Sequence, residues 1–215
     1  MTRSQRAALL VERLPQIYPD AHCELRFSNP LELLIATILS AQCTDVQVNK
    51  VTPALFAAFP TAADYAAASQ EAVEHYVKST NFFRNKAKSI RSAARDILDK
   101  HGGEVPRTLG ELVTLAGVGR KTANVVLGNA FGLDEGIVVD THVARLSSRL
   151  KLTTKKDAEK IESDLVRLIP RPHWTVFPHW LISHGRRICT ARSPKCSQCE
   201  LADLCPSAGK VPGAV

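Results

Sequence analysis

The sequence predicts an all-α protein. Apolar residues recur at helical spacing along most of the chain, and most of these stripes open on a capping residue. Strand signals are nearly absent: the one β-branched run, Ile137-Val138-Val139, is three residues long and reads as a buried connector between Gly136 and Asp140.

The elements follow in order. Ala7, Leu10, Val11 and Leu14 sit at helical spacing among Arg3, Arg6, Arg13 and Glu12, which favours a first domain helix over a targeting presequence. Asn29-Pro30 is an N-cap followed by proline in the first turn, with Leu31, Leu34, Ile35 and Ile38 on one face. Thr44 with Gln47 is a capping-box pattern for the next helix, which Pro53 is expected to break or kink. Thr61-Ala-Ala-Asp64 and Ser69-Gln-Glu71 open short helices. Ala87, Ile90, Ala94, Ile97 and Leu98 stripe a longer one that Gly102-Gly103 ends. Thr108 with Glu111 caps another. Val143, Leu146 and Leu150 mark a further helix, and Ile161, Leu165 and Leu168 one more, stopped by Pro170. Residues 209–215 are expected to fray.

At 215 residues and 45% hydrophobic, the chain can bury one large core or two small ones. No stretch approaches a membrane span, and no apolar export signal opens the chain, so a cytoplasmic setting is expected, nucleoid-associated if the source is bacterial. Six cysteines in that setting suit metal binding better than pairing. A net charge of +7 and a pI near 9.2 are compatible with a polyanionic partner, and 6% aromatic content disfavours an RNA-stacking sheet.

Four cysteines, Cys189, Cys196, Cys199 and Cys205, follow the spacing C-x6-C-x2-C-x5-C. Structural zinc with four cysteines usually takes two C-x2-C knuckles a dozen or more residues apart. The single knuckle here, flanked closely by lone cysteines, ranks a 4Fe-4S cluster first, zinc second, a disulfide pair third and unrelated buried thiols last.

The second informative stretch runs from Leu115 to Val126. A short helix leads into Gly117-Val118-Gly119, and a second helix follows through Ala130 to a stop at Gly132. Two glycines around one residue permit a tight turn, and N–H groups at a helix start favour an anion, so the turn is a phosphate cradle blind to base sequence. An ordinary glycine-rich helix corner fits the residues equally well. Lys121 lies in the first turn, where the dipole opposes a cation and a free amine can attack a sugar C1′. A surface lysine touching phosphate is the better reading from residue type alone. Asp140 opens Asp140-Thr141-His142 as an N-cap, or serves as a carboxylate that steadies a developing sugar cation.

Five segments in this order resemble the endonuclease III family of helix–hairpin–helix DNA glycosylases, over about residues 5 to 208. They are Ser40-Ala-Gln42-Cys-Thr-Asp45, Leu115 to Val126, Val139-Asp140-Thr-His142, His179 to Gly185, and the cysteine row. The resemblance implies two helical domains flanking a DNA-binding cleft. Residues 24–133 would form a six-helix barrel with the helix–hairpin–helix at about 108–131. Residues 1–23 and 134–215 would form the second domain, with its 4Fe-4S loop at 189–205. It further implies Lys121 as nucleophile and Asp140 as its acidic partner. Gln42 would fill the space left by a flipped base, and Thr80, Asn81 and Phe82 would wedge into the opposite strand. Gly117, Val118, Gly119 and Arg120 would hold the backbone, and carbonyls near Ala116 and Val118 would hold a monovalent cation. Arg186, Arg187, Arg192 and Lys195 lie in and around the cluster loop, and Arg192 and Lys195 are expected to meet phosphate. The implied activity is excision of oxidised pyrimidines from duplex DNA by a monomer, with strand cleavage 3′ to the abasic site through a lysine Schiff base. The implied partner is double-stranded DNA bearing damaged bases or abasic sites, with no membrane.

Three positions depart from the family pattern: the Thr80-Asn81-Phe82 wedge, Cys43 beside Gln42, and Ala116 before the hairpin glycines. A mismatch-specific monofunctional glycosylase and a non-catalytic iron–sulfur DNA-binding protein remain alternatives. The former lacks the lysine; the latter needs no nucleophile. The spacing of bacterial ferredoxins, C-x2-C-x2-C-x3-C, is absent.

Overall fold

Every residue from 1 to 215 is described in a computed structural model of the chain. It holds eleven α-helices and three short 3-10 turns and no strand. The helices are α1 (Arg3–Ile17), α2 (Pro30–Ser40), α3 (Asp45–Ala58), α4 (Ala62–Ala67), α5 (Gln70–Val77) and α6 (Phe83–His101). They continue as α7 (Leu109–Leu112), α8 (Arg120–Phe131), α9 (Thr141–Arg149), α10 (Ala158–Val166) and α11 (Val176–Arg187). None is long and apolar enough to cross a membrane.

The chain divides into two units. The first joins Met1–His22 to Asp134–Val215; the second is the continuous segment Cys23–Leu133. The second is built around α2, where every residue from Leu33 to Leu39 is buried. A helix apolar all round must be enclosed, and α3, α6 and α8 pack on it. Each fully buried Leu or Ile there contributes roughly 1.5–3 kcal/mol. Asn29 caps α2 by accepting from the Glu32 N–H at 3.0 Å, with Pro30 in the first turn as the sequence predicts. In the first unit, Leu10 and Leu14 of α1, Leu146 of α9, Leu165 of α10 and Phe177 and Leu181 of α11 share one core. Ile137 is buried there as a connector, outside any strand.

Three expectations change and one narrows. Of the break or kink expected at Pro53, the break does not occur, since α3 runs on to Ala58. The proline sits on the exposed side of the helix while Val48, Thr52 and Leu55 hold the other side in the core, so one lost N–H bond is tolerated. Thr44 caps α3, but the Gln47 side chain donates to Ser79 Oγ at 2.8 Å instead of returning to the cap. Leu98 is 40% exposed; it stands about 100° round α6 from buried Ile97, and Ala93 takes its place in the stripe. The last residues do not fray. Ser197 N–H donates to the Val215 carbonyl and Val215 N–H to the Pro194 carbonyl, both at 3.0 Å, which seats the tail on the cysteine loop.

Candidate functional site

In the second unit, three turns gather around the C-terminal end of α2 and the first half of α6. The hairpin turn is the first. Gly117 has φ +77, and a Cβ there would lie 2.8 Å from Ser89 Cβ and 3.8 Å from Ile38. Glycine is therefore required by both backbone and close packing. Buried Leu112, Leu115 and Val118 anchor the turn. Gly119 differs: it precedes α8 with extended φ of −91, and nothing lies within 4 Å of its virtual Cβ. The fold does not require glycine there. The α8 N-terminus has no side-chain cap, and its dipole favours an anion there. Lys121, on the first turn of α8, is exposed.

The second turn links α2 to α3. Gln42 is exposed at φ +52, with Cys43 N–H donating to the Ser40 carbonyl at 3.1 Å. Lys86 from α6 is buried beneath it and donates to the Leu39 carbonyl at 2.8 Å. Burial pushes the Lys86 ammonium below the usual lysine range. The third turn links α5 to α6. Phe82 has φ +56 and is 61% exposed. Thr80 does not belong to the presented tip. It is 3% exposed, and its backbone N–H and its hydroxyl both donate to the Val77 carbonyl. A threonine with its hydroxyl spent inside the turn braces it, while Asn81 and Phe82 are exposed. The Asn81 amide donates to the Gln42 carbonyl at 2.7 Å and ties the second turn to the third.

In the first unit, Asp140 caps α9, its Oδ1 accepting from Val143 N–H at 2.8 Å. The cap occupies one carboxylate oxygen and leaves Oδ2 for other work. Two arginines on the same helix reach the cysteine loop. Arg145 donates to the Cys189 carbonyl through Nε at 3.3 Å and Nη2 at 3.1 Å, and to the Gly185 carbonyl at 3.0 Å. Arg149 donates to Cys189 Sγ at 3.2 Å, to the Thr190 carbonyl at 2.7 Å and to the Ala191 carbonyl at 2.9 Å. Gly185 lets α11 approach α9: a Cβ there would meet His142 Nδ1 at 2.8 Å and Arg145 Nη2 at 2.9 Å. Buried Arg6 of α1 donates to the Leu204 carbonyl at 2.9 Å. These arginines carry no sequence signal as loop ligands beyond the i, i+4 spacing of Arg145 and Arg149 ahead of the first cysteine.

All six cysteines are unpaired. Cys189, Cys196, Cys199 and Cys205 line one cavity with Leu146, Leu150, Ile188 and Leu201. Cys196 opens one 3-10 turn, and Cys199 and Cys205 each end one in extended backbone. Burial, and after it the neighbouring thiolates, pushes the Cys199 thiol up to about 11; burial also raises Cys205. Thiols raised in this way ionise only beside a compensating cation, which iron would supply. No three His, Cys, Asp or Glu side chains converge on a point where a lone ion would sit. Zinc needs its sulfurs about 2.3 Å from one centre. A cubane gives each thiolate its own iron and accepts a wider ring of sulfurs. With a guanidinium already on one sulfur, the donor set fits a 4Fe-4S cluster better than a single zinc ion. His184 adds a further contact. Its Nε2 lies 3.6 Å from Cys199 Sγ and its Nδ1 2.8 Å from the Tyr18 hydroxyl. Arg192 and Lys195 are exposed on the loop between Cys189 and Cys196.

Residues 35–171 match the model of the HhH-GPD superfamily base excision DNA repair proteins, and residues 189–205 match the iron–sulfur binding domain of endonuclease III. Endonuclease III of Synechocystis sp. is 53% identical over 207 residues, covering 96% of this chain and 94% of its own. That of Escherichia coli is 43% identical over 98% of this chain and 99% of its own. Among solved structures, a trapped endonuclease III–DNA covalent intermediate with an estranged adenine superposes with a TM-score of 0.91 at 44% identity, covering 98% of this chain and 99% of that one. A thermostable thymine-DNA glycosylase at 22% identity and a TM-score of 0.86 shares the fold. The chain belongs to the endonuclease III family: it is a base excision repair DNA glycosylase and AP lyase that carries a 4Fe-4S cluster.

Proposed function

We propose that this enzyme excises oxidised or ring-saturated pyrimidines from duplex DNA and cuts the strand 3′ to the resulting abasic site, with Lys121 as the nucleophile. The observation that carries this reading is the exposed Lys121 on the first turn of α8, directly after an uncapped glycine hairpin. The hairpin from Gly117 to Arg120 holds a phosphate, its glycines giving access to the backbone while Val118 N–H is spent on the Leu115 carbonyl. Open Gly119 leaves the space that a backbone needs, and the carbonyls near Ala116 and Val118 hold a monovalent cation. Phe82 wedges into the opposite strand, and Gln42 fills the stack while the lesion stands outside it. Arg192 and Lys195 add phosphate contacts that carry no sequence information. Cys189, Cys196, Cys199 and Cys205 ligate the cluster. When bound, the cluster holds the basic loop in place.

The chemistry balances with the residues present. Lys121 Nζ, as free amine, bonds to C1′; the C1′–N bond to the base breaks, and the base leaves with the electron pair and takes up a proton. Asp140 Oδ2 accepts the proton shed by Lys121 and steadies the cationic sugar. Ring opening gives an imine between Nζ and C1′, which acidifies the C2′ proton. Loss of that proton expels the 3′ phosphate by β-elimination, and water then releases Lys121. No electron transfer is needed. The enzyme acts as a monomer on DNA in the cytoplasm.

Borohydride reduction on an abasic duplex tests this reading. A covalent protein–DNA adduct is expected with the wild type and none with Lys121→Ala; absence of the wild-type adduct would overturn it.

A further inference from the structure

Three non-glycine residues of the chain hold left-handed backbone: Gln42, Phe82 and Lys151. Two of them are the residues assigned above to enter the duplex, and the hydrogen bond from Asn81 joins their turns across 39 positions of sequence. The acceptor is the Gln42 backbone carbonyl, so the Gln42 side chain stays free. The donor sits next to Phe82, so the bond fixes the spacing between the two inserting side chains. A second strut, Gln47 Nε2 to Ser79 Oγ at 2.8 Å, joins the flanks of the same turns, and the Lys86–Leu39 bond roots the α2–α3 turn on α6. The Asn81 side chain is exposed yet turned inward onto protein.

We infer that Asn81 is a positioning residue that makes Gln42 and Phe82 enter the duplex as one unit, and so makes filling of the lesion's place depend on how the opposite base is held. The inference rests on the assignment of Gln42 and Phe82 under the proposed function. In the free enzyme water can replace an exposed hydrogen bond at little cost. Under DNA that water is excluded, and an unpaired carbonyl becomes expensive. The clasp therefore acts in the bound state, where the two insertions must agree.

Asn81→Asp keeps the size of the side chain, removes its donor and sets a carboxylate against the carbonyl. The test compares single-turnover cleavage of an abasic site in duplex and in single-stranded DNA. Only the duplex has a stack to fill and a strand to wedge. For Asn81→Asp the duplex-to-single-strand ratio is expected to fall roughly tenfold, the size of one net hydrogen bond made costly by burial. An unchanged ratio overturns the inference. A double-mutant cycle gives a readout that general damage to the fold would not imitate. Gln42→Ala and Phe82→Ala should be coupled in the wild-type background and additive in the Asn81→Asp background. Coupling that survives Asn81→Asp also overturns the inference. Both measurements use wild-type enzyme first shown to form the borohydride adduct, so failure of the Schiff-base reading is seen separately.

Discussion

The buried ammonium of Lys86 donates to the Leu39 carbonyl at 2.8 Å, closing the end of α2 three residues before Gln42. Helix C-terminal carbonyls lack intrahelical donors, and a cation there also complements the dipole. Lys86→Met is expected to lose about 1–3 kcal/mol of stability in urea melts at neutral pH, because a buried acceptor is left unsatisfied. Burial lowers the folded pKa, so in the alkaline window below 10.5 the unfolded chain binds more protons than the folded one. Stability from this group therefore rises with pH through that window. Lys86→Met should flatten the rise; the same slope in both proteins would assign it elsewhere.

The two hairpin glycines predict opposite outcomes. Gly117→Ala meets φ +77 and a contact of 2.8 Å with Ser89, and should cost roughly 1–3 kcal/mol in thermal unfolding. Gly119→Ala meets no atom within 4 Å and should stay within about 0.5 kcal/mol of wild type. Its added methyl stands where a phosphate would approach, so duplex affinity should fall. Retained affinity in Gly119→Ala would move the phosphate away from the hairpin.

Asp140→Asn preserves a good N-cap and removes a carboxylate. Melting should change little, while single-turnover base excision should slow roughly a hundredfold or more, the usual scale for a lost acid–base group. Duplex binding should survive. If binding collapses while the chemistry of the bound complex persists, Asp140 is a structural cap.

Arg149 gathers three acceptors of the cysteine loop, including Cys189 Sγ. Arg149→Ala should bleach the cluster's visible absorbance faster in air. Arg149→Lys should not restore it, because one ammonium cannot span three acceptors that a planar fork reaches. Full protection by lysine would reduce the role of Arg149 to charge alone.

Much of the helical order is legible in the sequence because its signals are local. Asn29, Thr61, Ser69, Thr108 and Asp140 each bond the backbone three residues on, and a cap needs nothing else. The cysteine spacing is equally local and points to the cluster directly. What escapes is set by distant partners. Nothing near Asn81 announces that its amide closes on residue 42, and nothing near Lys86 announces burial. Nothing beside Arg145 and Arg149 in sequence points to Cys189, forty residues or more away, which they meet in the fold. Thr80, which the family resemblance places in the wedge, is likewise hidden by its bonds to Val77, and its neighbours in sequence do not announce that burial.

The division of the chain has a consequence for how the protein is made. Residues 23–133 form a continuous unit that closes on its own contacts as soon as it has been synthesised. The first 22 residues belong to the other unit, and α1 finds Leu204 and Asp203 only after 190 or more further residues have been added. Loop closure over such a span is slow. The amphipathic α1 must therefore stay uncovered through most of translation, and iron delivery to the last cysteines comes at the final step. A shortage of iron would then leave molecules with a finished Lys121 hairpin and an open first unit, recognisable by chaperones and proteases long before any defect in catalysis is measured.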